Sequence, residues 1–287
     1  MPRLDVTKTH KLYINGGFPR SESGRSIPVR DAEWNVVAHL CHASRKDLRD
    51  AVGAARQAAG PWAARTAYNR GQILYRMAEM LQGKAEEMAS ALRLPGDVAL
   101  RDARREVDAS IDRLVCWAGW ADKLAHVLGA PNPVAGPFVN VTIPEPTGVV
   151  AIVAPDDPPL LGLVSLLAPA LAAGNAVVAL GSPTTPIPTC VLGEVCATSD
   201  VPAGVVNLLT GERSELAPWI ASHRAIDAVH AADLDPDTAR TLRLGAAENV
   251  KRVRVRRVGD WFSDELDTPW VAEGLMEMKT IWRPAGA

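Results

Sequence analysis

The sequence has few cysteines, almost no net charge and no hydrophobic run long enough to cross a bilayer, and each absence removes a class of protein. Cys41, Cys116, Cys190 and Cys196 are the only cysteines in 287 residues. They form no C-x-x-C pair and no Cys/His metal spacing, and so few in so long a chain exclude a disulfide scaffold. A reducing, cytoplasmic setting is the expectation. The 31 Lys and Arg against 33 Asp and Glu leave a formal charge of -2. No broad field therefore draws the chain to nucleic acid or to an anionic membrane, and neither is expected as a partner. Met1 to Asn15 carries Arg3, Asp5, Lys8 and Lys11 and lacks the apolar stretch of a signal peptide, so export is not expected. No charge lies between Asp157 and Glu194, yet the apolar part, Leu160 to Ala173, is too short for a span. Gly174, Asn175, Gly181, Pro183, Pro186 and Pro188 punctuate the residues after it. A buried helix and then a buried strand fit better. There is no G-x-G-x-x-G, no internal repeat and no low-complexity segment.

What is present is an ordinary globular composition, 47% hydrophobic and 22% charged, with length enough for one large domain or two smaller ones. The runs at Leu12–Ile14, Ser26–Val29 and Val36–Ala38 read as small strands around turn signals. Ser44 with Asp47 forms a helix cap, and Leu48, Val52 and Ala55 then recur at helical spacing until Gly60-Pro61, which is expected to end the helix. A second stripe, Ile73, Leu74, Met77, Met80 and Leu81, predicts one helix as far as Leu94 and a stop at Pro95-Gly96. A third, through Val107, Ile111, Leu114, Val115 and Ala118, runs to about Leu128. The charges between these stripes read as solvated faces.

From Gly148 the pattern becomes short β-branched runs alternating with helical segments. Strands are predicted at Val149–Ala154, Ala176–Leu180, Val205–Leu209, Ile226–His230 and Arg252–Val258, with helices near 159–173, 187–199, 214–222 and 236–247. This is an α/β chain with a five-stranded, doubly wound parallel sheet, a Rossmann-like fold preceded by N-terminal helices. The alternation of Val253 and Val255 in Lys251–Arg257 makes that basic run a strand in preference to a nucleic-acid patch. The four cysteines lack a paired base, His126, His223 and His230 lack a spaced partner set, and the eight tryptophans read as core or interface anchors. No metal site is expected.

Pro146 to Pro155, Pro159 and Ala168 to Val178 together resemble the cofactor-domain core of the aldehyde dehydrogenase superfamily. Further matches come in chain order: Leu12–Gly16 with Ser23-Gly24, Val201–Gly211, His223 with Ile226 and Asp227, Asn249–Val253, and Gly274–Trp282. The resemblance spans nearly the whole chain except about 254–272. It implies a cofactor-type domain over residues 1–260, an oligomerisation hairpin at about 130–147, and a linker with a C-terminal oligomerisation strand over 261–287.

The departures from the family pattern concern chemistry. The family's Pro-Trp-Asn-Phe-Pro, whose Asn stabilises an oxyanion, reads Pro155-Asp156-Asp157-Pro158-Pro159, and an ionised Asp157 repels an oxyanion. The family's Lys-Pro-Ser-Glu, which grips the adenosine ribose, reads Leu180-Gly181-Ser182-Pro183. The second glycine of the next loop becomes Arg213. Phe-Thr-Gly-Ser-Thr beside the pyrophosphate becomes His230–Leu234, with Asp233 expected as the helix cap and unfavourable to a phosphate. The general base of Glu-Leu-Gly-Gly aligns with Arg256 in Arg256-Arg257-Val258-Gly259, and arginine cannot take a proton. The nucleophile segment Gly-Gln-x-Cys and the rest of the catalytic domain have no counterpart.

The resemblance with these departures implies no catalytic residues and a degenerate cofactor site at Pro155, Asp157, Ser182 and Gly211. No cofactor is then expected in this chain, and NAD(P) would belong to a partner. That partner is a full-length aldehyde dehydrogenase subunit in a hetero-oligomer, reached through Val139, Val141 and Ile143 of the hairpin and Met276, Met278, Thr280 and Trp282 of the tail. The acceptor for the tail strand is expected on another chain, in preference to an intramolecular edge. Two alternatives stay open. One is an NAD(P)-binding regulator or residual aldehyde oxidoreductase, which Pro155, Ser182 and Gly211 support and Leu180, Pro183, Arg213 and Asp233 oppose. The other is a decayed fragment, which predicts an insoluble product.

Overall fold

The computed structural model describes residues 6–94, 96 and 98–285. Three short strands open the chain, β1 (Lys8–His10), β2 (Ser26–Arg30) and β3 (Val36–Cys41), in one sheet of order β1-β3-β2. The run Leu12–Ile14 is not a strand: it makes only isolated bridges, Tyr13 to Leu208 and Ile14 to Gly17. Helix α1 (Arg45–Ala63) starts on a full capping box, Ser44 Oγ accepting from Asp47 N–H and Asp47 Oδ2 accepting from Ser44 N–H at 2.8 Å. Gly60-Pro61 does not end it. Proline costs one backbone bond so close to the terminus, and glycine before it removes the Cβ that would clash with the ring.

The second stripe divides into α2 (Ala67–Gly83) and α3 (Ala85–Arg93), with the break at Lys84, where the axis turns so that both helices pack on α4 (Leu100–Trp120). The predicted stop at Pro95 lies outside the described residues. The third stripe ends at Trp120, and the short α5 (Leu124–Leu128) forms separately. Asp47, Glu106 and Arg113 are buried, against the expectation that charges between the stripes are solvated. Each is buried because it satisfies backbone or side-chain groups of another segment.

After β4 (Ala130–Asn132) and β5 (Phe138–Pro146) comes the parallel unit: β6 (Val149–Val153), α6 (Pro159–Ala172), β7 (Ala176–Leu180), α7 (Ile187–Ala197), β8 (Val206–Leu209), α8 (Arg213–Ser222), β9 (Ala228–Ala232), α9 (Pro236–Ala247) and β10 (Arg252–Arg256). β9 begins and ends two residues later than predicted, and β10 stops at Arg256. The sheet has the order β10-β9-β6-β7-β8 with every pair parallel. Alternate residues of β6 enter different cores, Val150 and Ile152 under α6 and Val149, Ala151 and Val153 under α1 and α8. Helix α6 is buried along its whole length, and each enclosed leucine, such as Leu163 or Leu167, contributes about 1.5–3 kcal/mol. No helix among the described residues is long and apolar enough to cross a membrane.

The chain then crosses the molecule through a 3-10 turn at Asp264–Leu266 and α10 (Pro269–Glu273) to reach β11 (Met276–Pro284). β11 pairs antiparallel with β5 along its whole length, from Met276–Pro146 to Pro284–Phe138. The expectation that the tail's acceptor comes from another chain is therefore corrected: one edge of the tail is held by the hairpin of the same chain. The pairing starts where the Leu275 carbonyl accepts from Thr147 N–H and from Asn175 Nδ2, at 3.1 Å for the latter, within the same chain. The three-stranded sheet has the order β11-β5-β4, so among the described residues the outer edge of β11 carries no strand.

Candidate functional site

In a doubly wound sheet, ligands sit beyond the carboxyl ends of the strands where the order reverses, here between β6 and β9. A polar network lies on the other side of β6, at the carboxyl ends of β6, β7 and β8, whose following loops meet there. Asp156 comes from the first, Ser182 and Thr184 from the second, and Arg213 from the start of α8. Arg213 Nη1 donates to Asp156 Oδ2 at 2.7 Å, and its Nη2 donates to the carbonyl of Ala154. The hydroxyls of Ser182 and Thr184 donate to Asp156 Oδ1 at 3.2 and 3.3 Å. The Arg213 side chain is 8% exposed and that of Asp156 46% exposed, so the cation is enclosed and the anion lies at the mouth. Side chains of the protein's own loops thus pair with one another at this end of the sheet, with Arg213 Nε left without a partner and with Asp156 and Thr184 lining an open groove of about 670 Å³.

The site residues expected from sequence divide accordingly. Pro155 is buried and lies under Gly162, where any Cβ would collide with its ring, so its place is explained by packing. Ser182 is enclosed in the Asp156 network, and its Oγ also accepts from Thr185 N–H. Gly211 is buried against His42 and Ala43, where a Cβ would come within 3.2 Å of the imidazole. Asp157 is exposed and lines, together with Asp156 and Thr184, the groove of about 670 Å³ that also borders Asp102, Glu106 and Asp260.

Asp233 is not the cap of α9. Asp235 takes that role, its Oδ1 accepting from Thr238 N–H at 2.9 Å. Asp233 has φ 48°, in the left-handed region that Asp tolerates, and this turns its carboxylate back toward the crossing segment. There it accepts from Val258 N–H and Trp261 Nε1, both at 3.1 Å. The helix end stays unfavourable to phosphate, because Asp235 and Asp237 occupy its first turn. A groove of about 440 Å³ between α8 and α9 is bordered by Glu212, Asp235 and Asp237, with Arg213 its one basic group and already paired.

No general base or activated nucleophile is assembled at this edge among the described residues. Arg256 Nε donates to His230 Nε2 at 3.2 Å, and Arg257 is exposed. His230 is fully buried, with Nδ1 3.2 Å from the Leu166 carbonyl. Since that carbonyl can only accept, the ring proton sits on Nδ1 and Nε2 accepts from Arg256. Burial, with Arg256 second, lowers the His230 pKa to about 3, so the ring is neutral at ordinary pH. Burial also pushes the thiols of Cys190 and Cys196 up to about 12 and that of Cys116 to about 11, the reverse of an activated cysteine.

Sequence reasoning missed Glu106. Helix α6 begins Pro158-Pro159-Leu160 with no capping side chain of its own, and Glu106 Oε1 supplies the cap from α4, accepting from Leu160 N–H at 2.8 Å and Leu161 N–H at 3.1 Å. The signal was present in a helix start that lacks any local acceptor. Arg113 was missed likewise. It donates to the carbonyls of Trp261 at 2.9 Å and Ser263 at 3.2 Å, while Trp120 Nε1 donates to Asp267 O at 2.7 Å. These bonds fasten the crossing segment to α4.

The seven predicted interface residues do not share one surface. Directly opposed residues of an antiparallel pair lie on the same face. The register therefore puts Met276, Met278, Thr280 and Trp282 on one side of the sheet and Val139, Val141 and Ile143 on the other. Trp282 packs edge-on against Phe138, centroids 6.1 Å apart, and the Thr142 and Thr280 hydroxyls are 3.1 Å apart.

The model of the aldehyde dehydrogenase family matches residues 19–258. Aldehyde dehydrogenase family 2 member B4, mitochondrial, of Arabidopsis thaliana is 33% identical over 263 residues, covering 90% of this chain and 48% of its own length. Cytosolic 10-formyltetrahydrofolate dehydrogenase of Xenopus tropicalis is 31% identical over 264 residues, 89% of this chain and 29% of its own. Among solved structures, an NAD+ complex of aldehyde dehydrogenase from Bacillus cereus superposes with a TM-score of 0.82 at 28% identity, covering 88% of this chain and 51% of that one. The chain thus spans about half or less of the length of these relatives.

Proposed function

The chain belongs to the aldehyde dehydrogenase family, and from that premise we propose that it is a non-catalytic subunit that assembles with and supports a catalytically complete, NAD(P)-dependent aldehyde dehydrogenase. The observation that carries the proposal is the Asp156–Arg213 pair. These two side chains neutralise each other at the carboxyl ends of the strands, and the next helix presents Asp235 and Asp237 in place of a phosphate-binding end. Among the described residues, neither a cysteine thiolate nor a general base is assembled beside them. Oxidation of an aldehyde then falls to the partner, which also holds the NAD(P).

Assembly is supported by the sheet of β4, β5 and β11. Its strand β11 is largely exposed while β5 is mostly half-buried, and β11 pairs with β5 on one edge and, among the described residues, with no strand on the other, which suits strand addition by a neighbour. The alternative, an NAD(P)-binding regulator or residual aldehyde oxidoreductase, draws on the groove still open between α8 and α9. The test is co-expression with a full-length aldehyde dehydrogenase, reading complex mass and activity. A stable hetero-oligomer is expected, lost on removal of Leu275 to Ala287 while the remaining fold stays near native. A well-folded chain that never enters a complex contradicts the proposal.

A further inference from the structure

We infer that the chain without its partner forms a two-fold dimer in which β11 pairs antiparallel with β11 of a second copy, centred on Thr280. The directions of the backbone groups come first. Leu275 C=O accepts from Thr147 N–H, and Ala285 N–H donates to Pro137 C=O. Backbone groups alternate sides along a strand, so odd-numbered residues of β11 turn inward to the hairpin, and Met278, Thr280 and Trp282 present free N–H and C=O groups at the outer edge. No strand covers that edge among the described residues, although Trp282 is 59% and Met278 39% exposed. A long edge bearing apolar side chains is one that proteins cover.

The sequence of β11, Met-Glu-Met-Lys-Thr-Ile-Trp-Arg-Pro, is complementary to itself about Thr280. With Thr280 on the two-fold axis, Glu277, whose carboxylate already accepts from Arg252 Nη2 at 2.6 Å, faces Arg283 of the second copy on one side of the joined sheet. Met278 faces Trp282 of the second copy on the other side, a sulfur–aromatic pair. Centring on Lys279 would set Lys279 against itself, and centring on Ile281 would set Lys279 against Arg283, both unfavourable like-charge pairs. The strand ends fit the same register. Met276 opposes Pro284, which has no N–H to give, and the Met276 carbonyl already accepts from Arg252 Nη1 at 2.8 Å. The one donor the ladder lacks meets the one acceptor the chain has satisfied elsewhere. The joined sheet would run β4-β5-β11 and on through β11, β5 and β4 of the second copy.

The inference goes beyond the proposed function, because the second copy takes the edge that a dehydrogenase subunit would take, and it is tested on the chain alone. Light scattering at micromolar concentration is expected to give the dimer mass. Opposed residues in a hydrogen-bonded antiparallel pair have Cα atoms about 5.5 Å apart, within disulfide reach. Thr280→Cys is therefore expected to give a covalent dimer on mild oxidation, and Lys279→Cys, which faces Ile281 of the second copy, is not. Arg283→Glu should weaken dimerisation roughly tenfold by setting like charges opposite each other in two symmetric places. A monomeric chain, cross-linking no faster through position 280 than through 279, or a dimer indifferent to Arg283→Glu overturns the inference. Failure here leaves the hetero-complex experiment unaffected, so the two outcomes are read separately.

Discussion

Replacing Arg213 by alanine removes the cation that pairs with Asp156, and the structure sets the size of the effect. The guanidinium is enclosed, pairs with Asp156 at 2.7 Å and donates to the Ala154 carbonyl, so its removal strands an acceptor and leaves Asp156 with two hydroxyl donors. Breaking a fully buried pair from one side costs roughly 3–5 kcal/mol. The Asp156 side chain is 46% exposed and can recover water, which lowers the expectation to about 2–3 kcal/mol. Urea unfolding of the wild type, Arg213→Ala, Asp156→Ala and the double variant gives the coupling directly. It should be about 1–2 kcal/mol, with the double variant less destabilised than the two single losses combined. A loss below about 0.5 kcal/mol for Arg213→Ala, with no coupling, would refute the claim that these side chains neutralise each other.

The remaining predictions concern buried polar groups. His230 has a folded pKa of about 3 against 6.5 when unfolded, so the unfolded chain binds the extra proton between those values and stability falls as pH drops from 6.5 toward 3, by on the order of 4 kcal/mol. His230→Gln, which can still donate to Leu166 O and accept from Arg256, should keep neutral-pH stability and flatten that acid slope in a pH series of denaturant melts. Glu106→Ala should cost about 1–2 kcal/mol by uncapping α6, with Glu106→Gln retaining most of the stability in thermal melts, since the amide oxygen can still accept. Trp261→Ala removes a buried indole and its bond to Asp233. About 3–5 kcal/mol of stability should be lost, with new proteolytic cleavage between Arg257 and Trp270; unchanged cleavage would show that the crossing segment is held by other contacts.

The parallel sheet was legible because each of its strands is a compact β-branched run between turn residues, as in Val149–Val153 and Ala176–Leu180. Its helices were legible because Pro159, Ile187 and Pro236 mark their starts. What was hidden depends on groups far apart in sequence. Glu106 reads as one more charge on an amphipathic helix until α6 presents two unpaired N–H groups to it. Arg213 reads as the loss of a glycine, and only the folded loops show that Asp156 is placed to receive it. Asp233 is the cap expected from sequence, and Asp235 is the cap found. The choice falls to Asp235 because Asp233 adopts the left-handed conformation and is drawn to Trp261, a contact that no local pattern encodes. The tail showed the alternation of a strand, yet the hairpin that holds it lies far back in the chain, and register alone decides which side chains share a face.

The most direct test of the central claim is a calorimetric titration of the isolated, folded chain with NAD and with NADP. The pairing of Asp156 with Arg213, with the carboxylates of Asp235 and Asp237 at the start of the next helix, predicts no binding in the micromolar range for either dinucleotide. Saturable micromolar binding of one of them would contradict the claim and make the chain a nucleotide-binding member of its family.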